Sequence, residues 1–392
     1  MINYKLNKHI FREYDIRGIV KTDFPPEVVT HLGRAFGTFI KRAGGSRISI
    51  SGDIRPTTPK LIDNFSSGLL DTGISVLHMG IAPTPANYFS MFHLDVDGAV
   101  QITGSHNPPE FNGFKISYKQ NAFYGDQIQI LRNLMEKGDF EIGTGSIEKI
   151  DIMTPYHVML KGKINIDRPL RAVIDCGNAA ACLSAPKIFP AVGIETQELY
   201  CEIDGTFPNH HPDPTVPKNL EQLIKLVKKK KCNFGFAFDG DGDRLGVVDN
   251  KGKIIYADKV VAFLAKDVLL KKPKSKIILD IKSSQTVFNE IKKLKGKPFF
   301  WKTGHSLIKE KMKETKAIFA GEMSGHIFFA DKYYGFDDAI YASIRFLNLF
   351  CDSNKSLSKI FNDMEKSYNT PELRFKTTET EKFIIVKKLK KI

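Results

Sequence analysis

Phe234-Gly235-Phe236-Ala237-Phe238, followed directly by Asp239-Gly240-Asp241-Gly242-Asp243-Arg244, is the stretch from which the fold of this chain can be read. An apolar run of five residues that stops on Asp and Gly reads as a buried strand feeding a tight loop. The same order recurs along the chain. Three strand-then-loop elements occur in sequence three times: RISISGDIRP, VLHMGIAPTP and AVQITGSHNP; then RAVIDCGNAA, QELYCEIDG and FGFAFDGDGD; then KIILDIKSS, PFFWKTGH and AIFAGEMSGH. The similarity lies in pattern rather than identity. Helical stretches separate the strands, so the pattern predicts an α/β protein of three successive similar domains with mixed, partly parallel sheets. Loops at the carboxyl ends of parallel strands are where open α/β sheets bind ligands, and the third loop of each unit is the richest in chemistry.

Boundaries follow from the repeat. The first unit, 1–151, ends near the Gly-rich EIGTGSIEK; the second, 152–254, ends at the NKGKIIYAD turn; the third, 255–368, ends near the polar SYNTPE. The length of 392 residues agrees, since roughly 150 per domain gives two to four. Residues 369–392 cannot bury a core of their own, so they are expected to be an appendage or the start of a fourth domain. Within them 375–392 should be mobile or paired only as an edge strand.

Composition excludes several classes. Apolar residues make up 42% and charged residues 26%, which rules out wholesale disorder, collagen and coiled coil. The net charge of +14 attracts polyanions, but the Lys-rich runs at 225–231 and 292–297 lack the interleaved aromatics of a single-strand-binding surface, so no nucleic-acid partner is expected. The uncharged stretch Thr72 to Leu94 contains two His, two Pro and an Asn, which a bilayer helix would not tolerate, so no membrane partner is expected either. No secretory signal is visible in MINYKLNKHIFREYD, which suggests a cytoplasmic protein, and a monomer is expected. The five cysteines contain no C-x-x-C and are expected to be reduced, mostly buried thiols.

Asp239, Asp241 and Asp243 put three hard oxygen ligands around one point, a site for Mg²⁺ or a similar cation with room for a phosphate oxygen. An EF-hand would need Gly at Arg244 and Glu at Asn250, and a haloacid-dehalogenase phosphatase would need a small residue at Asp243. Thr103-Gly104-Ser105-His106-Asn107-Pro108 presents a serine hydroxyl on a tight, proline-stopped loop. It is not a G-x-S-x-G elbow. Glu322 and Ser324, two apart in Gly321-Glu322-Met323-Ser324-Gly325-His326, point the same way and suit vicinal hydroxyls of a sugar. Arg12, Tyr14 and Arg17 in FREYDIRG and the Trp301-Lys302-Thr303-Gly304-His305 run add cationic and polar groups, with Arg17 also able to pair with Asp15 or Asp53.

Together FREYDIRG, TGSHNPPEFNGFK, DGDGDR, KTGHSLIK and GEMSGH resemble, in order, the α-D-phosphohexomutases, closest to the bacterial phosphomannomutase/phosphoglucomutase branch. The resemblance implies α/β domains around a central cleft and a phosphoserine at Ser105, with Ser105, Asp239, Asp241 and Asp243 holding Mg²⁺. It implies that Glu322 and Ser324 grip the 3- and 4-hydroxyls, and that Tyr14, Arg17, His106, Lys115, Arg244, Lys282, His305 and His326 surround the reacting groups and substrate. The expected reaction interconverts hexose 6-phosphate and hexose 1-phosphate, of mannose and glucose, with hexose 1,6-bisphosphate as intermediate and activator. His326, Lys115 and His305 are the candidates for proton transfer. The family closes its cleft with a fourth domain bearing an R-x-S-x-T-E-P-like clamp that nothing after Thr370 matches, so a chain lacking most of that domain is expected. Phosphoglucosamine mutase, and a sugar-phosphate-binding protein with little turnover, are the alternatives.

Overall fold

In the computed structural model, which describes residues 6–164, 166–365, 377–378 and 381–389, the three sequence units become three sheets of one plan. In the first, Arg47–Gly52 lies between the parallel strands Ser75–Ile81 and Gly98–Ile102, and Phe111–Tyr118 runs antiparallel beside the third. The second repeats this with Leu170–Asp175, Ile194–Leu199, Phe234–Phe238 and the antiparallel Leu245–Asp249. The third repeats it with Lys276–Asp280, Lys297–Trp301, Phe319–Gly321 and Ile327–Phe329. Each chemically rich loop therefore joins the last parallel strand of its unit to the antiparallel one. The first sheet also gains Ile16–Ile19, paired with Phe111–Tyr118 and carrying Arg17, and Ile147–Lys149, from the Gly-rich segment, beside Ser75–Ile81.

Helices cover both faces of the central strands, which explains why an alternating I-S-I-S stretch is buried throughout. The two serines are satisfied internally: Ser49 Oγ lies 2.7 Å from Ser90 Oγ, and Ser51 Oγ donates to Gln101 Oε1 at 2.6 Å. Ser90 belongs to the helix Thr84–His93, whose residues are buried from Thr84 to Met91. That helix is the core of the uncharged 72–94 stretch, and it lacks charge because it is wedged between units. Tyr88 and Phe89 share one hydrophobic cluster with Tyr156, Phe236 and Phe346 of the other two. No helix among the described residues is long and apolar enough to cross a membrane. The five thiols are free, four of them buried.

Of the expectation that 375–392 is mobile or paired only as an edge strand, the edge strand is corrected over 381–389. Glu381–Leu389 is a helix, with Ile384, Ile385 and Val386 each about half exposed. A run of nine residues without Gly or Pro closes its hydrogen bonds locally, whereas an edge strand needs a neighbour to pair with. Most of the rest of that segment lies outside the described residues.

Candidate active site

The loop after Gly98–Ile102 turns sharply at Ser105, whose φ of +48° lies in the left-handed region that a residue with a Cβ rarely occupies. The turn aims Ser105 Oγ at the second unit, 3.1 Å from Asp239 Oδ2 and 3.1 Å from His106 Nδ1. Asp239, Asp241 and Asp243 are all fully buried, with carboxylate oxygens within 4.8 Å of one another. Gly240 permits the approach, because a Cβ there would sit 2.2 Å from the Ser105 carbonyl oxygen.

Three buried carboxylates this close cannot share the site without positive charge. Lys115, also buried, supplies one, donating from Nζ to Asp241 Oδ2 at 2.7 Å and to Asp243 Oδ2 at 2.6 Å. Burial disfavours its ammonium form, yet the two carboxylates outweigh that and hold its pKa well above the ordinary value. Burial, and then Asp243 and Asp241, push Asp239 well above the usual carboxylate range. Burial acts the same way on Asp241, but Lys115 and the hydroxyl of Thr84, at 2.6 Å, hold it below. Asp241 Oδ1 and Asp243 Oδ1 remain buried without a hydrogen-bond partner among the described residues. All-oxygen donors, clustered and partly unpaired, fit Mg²⁺.

The third loop docks on the second. Leu245 N–H donates to Gly325 O at 3.0 Å, and Arg244 Nε donates to His326 Nε2 at 2.9 Å. Since Nε2 accepts, the His326 proton sits on Nδ1, 2.9 Å from Asp337 Oδ2 and 3.4 Å from Asp243 Oδ1. Lys309 Nζ holds the other Asp337 oxygen at 3.0 Å; it and His326 keep that carboxyl well below the usual range despite burial. Glu322 is buried and its pKa raised by that burial, and among the described residues its carboxylate accepts one bond, from Gly304 N–H at 2.7 Å. Ser324 Oγ and both ring nitrogens of His305 have no hydrogen-bond partner among the described residues. Burial, then Lys309, pushes His305 well below the ordinary imidazole value, so its ring is neutral. The Tyr14 ring meets it edge-on at 5.9 Å.

Most residues singled out from sequence thus come together. Arg17 pairs with Asp15 at 2.6 Å and donates to Asn107 Oδ1 at 3.0 Å, leaving Asp53 to another partner. Burial, then Arg244 and Arg17, lowers the His106 pKa, so that ring is neutral beside Ser105. Lys282 is the exception: it is exposed two residues beyond Lys276–Asp280 and enters none of the hydrogen bonds of the cluster. Sequence reasoning missed Thr84, whose bond to Asp241 joins two units, and Lys309 and Asp337, which meet within the third. It also missed Arg55 and His211, which donates to the His106 carbonyl. The crowded His and Asp of Asn209-His210-His211-Pro212-Asp213 are a signal that could have found the latter.

The comparisons with known proteins agree over most of the chain. Models of phosphoglucomutase/phosphomannomutase alpha/beta/alpha domains I, II and III match residues 8–141, 155–252 and 256–368. The phosphomannomutase/phosphoglucomutase of Pseudomonas aeruginosa is 43% identical over 382 residues, covering 97% of this chain and 82% of that protein. A Neisseria meningitidis phosphoglucomutase is 42% identical, over 95% of this chain and 81% of its own length. The crystal structure of a phosphoglucomutase/phosphomannomutase family protein from Burkholderia thailandensis superposes with a TM-score of 0.91 at 41% identity, covering 94% of this chain and 82% of that one. With that similarity spanning all three sheets and their loops, the chain belongs to the phosphoglucomutase/phosphomannomutase family of α-D-phosphohexomutases.

Proposed function

We propose that this chain is a phosphohexomutase that interconverts the 6-phosphates and 1-phosphates of mannose and glucose. The observation that carries the reading is the 3.1 Å contact between Ser105 Oγ and the buried carboxylate of Asp239. Ser105 is the phosphoryl carrier. In the first transfer the bond from Ser105 Oγ to phosphorus breaks and a bond from phosphorus to the free sugar hydroxyl forms, giving hexose 1,6-bisphosphate. After the sugar turns round, Ser105 takes back the other phosphoryl group. Added hexose 1,6-bisphosphate would act as the activator that phosphorylates an empty Ser105.

Asp239, Asp241, Asp243 and Ser105 would hold Mg²⁺, which neutralises charge developing on the transferred group. Lys115 and Arg244 add fixed positive charge around the same point, the main requirement of a loose phosphoryl-transfer transition state. Among the three proton-transfer candidates, Lys115 is occupied as a cation and His326 Nε2 already accepts from Arg244. His305, whose two ring nitrogens have no hydrogen-bond partner among the described residues, is the candidate with a lone pair open to the hydroxyl proton. Glu322 and Ser324 offer an acceptor and a hydroxyl to the 3- and 4-hydroxyls, a grip that serves either orientation of the sugar. Tyr14, Arg17, Lys282 and His326 complete the surroundings of substrate. We read 1–151, 152–254 and 255–368 as the three domains that supply these loops, and 369–392 as the start of a fourth.

The test is direct. Purified protein with Mg²⁺ and a trace of hexose 1,6-bisphosphate should convert mannose 1-phosphate and glucose 1-phosphate to their 6-phosphates, and a strong chelator should stop it. A clear preference for glucosamine 1-phosphate would replace the reading with phosphoglucosamine mutase. Wild-type rates under chelation would remove the metal.

A further inference from the structure

Arg55 is the largest fully buried side chain among the described residues, with a relative exposure of 1%, and none of the candidate-site motifs contains it. Each of its five guanidinium N–H groups has an acceptor. Nε donates to Asp53 Oδ2 at 3.1 Å. One terminal nitrogen donates to the carbonyls of Pro108 and Phe111 at 2.7 and 3.1 Å, the other to those of Ser105 and Asn107 at 2.8 and 2.6 Å. Four carbonyls of the 105–111 segment therefore converge on one cation.

Asp53 completes the arrangement from the other side. Its Oδ2 accepts from Thr103 Oγ1 at 2.9 Å and from Gly104 N–H at 3.0 Å, and Thr103 Oγ1 in turn accepts from Ser105 N–H at 2.8 Å. Its Oδ1 accepts from Thr58 Oγ1 at 2.7 Å and from Arg55 N–H at 3.1 Å. The loop is bound at its amides through Asp53 and at its carbonyls through Arg55. A planar five-donor fork meets that pattern; an ammonium, with three donors from one point, cannot.

The pair explains how Ser105 keeps its φ of +48°. Such a conformation is strained and persists only where the surroundings over-determine it. Here the residue is bound at its N–H by Thr103 and at its carbonyl by Arg55, and Gly240 of the metal loop packs on that carbonyl. From that backbone Oγ reaches Asp239 Oδ2 and His106 Nδ1, each at 3.1 Å. Gly104 fits the same account, because a Cβ there would fall 2.4 Å from Arg55 Cζ.

We propose that Arg55, paired with Asp53, is the positioning residue of the phosphoryl-carrying loop: it fixes the 105–111 carbonyls and thereby the aim of Ser105 Oγ, without touching the reacting atoms. The proposal rests on the reading of Ser105 as phosphoryl carrier. Its effect belongs in kcat, since misplacing a reacting group by about 1 Å costs about a hundredfold while substrate binding elsewhere is spared.

The experiment compares the full chain with Arg55→Met, Arg55→Lys and Gly104→Ala, by mutase kinetics, thermal unfolding and amide hydrogen exchange over 103–108. Arg55→Met should lower kcat about a hundredfold with KM changed no more than about threefold, and exchange over 103–108 should rise. Arg55→Lys should recover part of the loss. Gly104→Ala should reproduce it by pushing on an intact guanidinium. Wild-type kcat in folded Arg55→Met, or a loss lying wholly in KM or in the folded fraction, overturns the proposal. If Arg55→Met does not fold, the other two variants decide by the same criteria. If the wild type has no mutase activity but exchange still rises in the variants, the functional reading fails while the clamp on the loop stands. An active wild type whose variants keep its exchange and its kcat overturns the clamp and leaves the functional reading standing.

Discussion

The Ser105 loop at 103–108, proposed to carry the phosphoryl group, and the Glu322–Ser324 loop at 321–326, proposed to grip the sugar, occupy the same place in the repeat, yet they are built to opposite ends. Each is tied to an aspartate at the end of the first strand of its unit, Asp53 in one and Asp280 in the other. Asp53 accepts from Gly104 N–H and Thr103 Oγ1, while Arg55 donates to the Ser105, Asn107 and Pro108 carbonyls of its loop, and Ser105 Oγ lies 3.1 Å from Asp239 Oδ2. Among the described residues the Asp280 carboxylate binds its loop only through Met323 N–H at 3.2 Å, its other contacts going to the hydroxyls of Ser283 and Thr303. Ser324 Oγ and part of the Glu322 carboxylate remain uncommitted. A loop that must place one reacting atom is saturated from within; a loop that must receive a ligand keeps hydrogen-bonding capacity open.

Breaking the first loop should therefore strike turnover, and the largest effect is expected at its centre. Ser105→Ala should lower kcat about a thousandfold or more, beyond the cost of a single lost electrostatic donor, as measured by coupled mutase assay. Next come Asp239→Asn, Asp241→Asn and Asp243→Asn. Each should cost about 10²–10³ in kcat while leaving sugar-phosphate affinity, read by calorimetry, within a few fold. Equal losses in affinity would place the carboxylates against the sugar instead.

The second loop should answer in KM. Glu322→Ala removes charge-assisted bonds worth about 1.5–3 kcal/mol, so kcat/KM should fall roughly ten- to a hundredfold, and equally for glucose and mannose 1-phosphates. Those sugars share their 3- and 4-hydroxyls and differ at C2. A selective loss for one epimer would show that Glu322 reads C2.

The smallest effect concerns stability beyond the third loop. Asp338, fully buried, is pushed up to about 6 by burial, against hydrogen bonds from Tyr333 and Tyr156 hydroxyls. Its folded pKa lies above the unfolded value of about 3.9, so stabilisation from its protonated form is complete below that value and is lost as pH rises through about 6. Relative to Asp338→Asn, the wild type should lose up to about 3 kcal/mol of unfolding free energy between about pH 4 and 7, measured by denaturant titration. A pH-independent difference would mean that folding leaves the Asp338 carboxyl unshifted.

Strand ends are legible in the sequence because Asp, Gly and Ser stop apolar runs abruptly, and those stops are also where the chemistry stands. Ser105, the three aspartates and Glu322 are exposed to reading for that reason. Partners chosen by tertiary packing leave no such mark. Arg55 sits just beyond a stretch that reads as strand then loop, and nothing local says that its guanidinium will reach carbonyls about fifty residues later. Asp337 and Lys309 meet only after the helix His305–Thr315 packs across the unit. The uncharged 72–94 stretch can be read from sequence only by exclusion, and its reason, a helix buried between units, is a property of the assembled core.

The central claim is that Ser105 carries the phosphoryl group, and it is tested most directly by intact-mass analysis of the full chain after incubation with hexose 1,6-bisphosphate, followed by peptide mapping. One added phosphate on Ser105, stable to hydroxylamine and absent from Ser105→Ala, is the predicted result. A hydroxylamine-sensitive acyl phosphate on Asp239, or no added phosphate in a protein that still interconverts hexose phosphates, would contradict it.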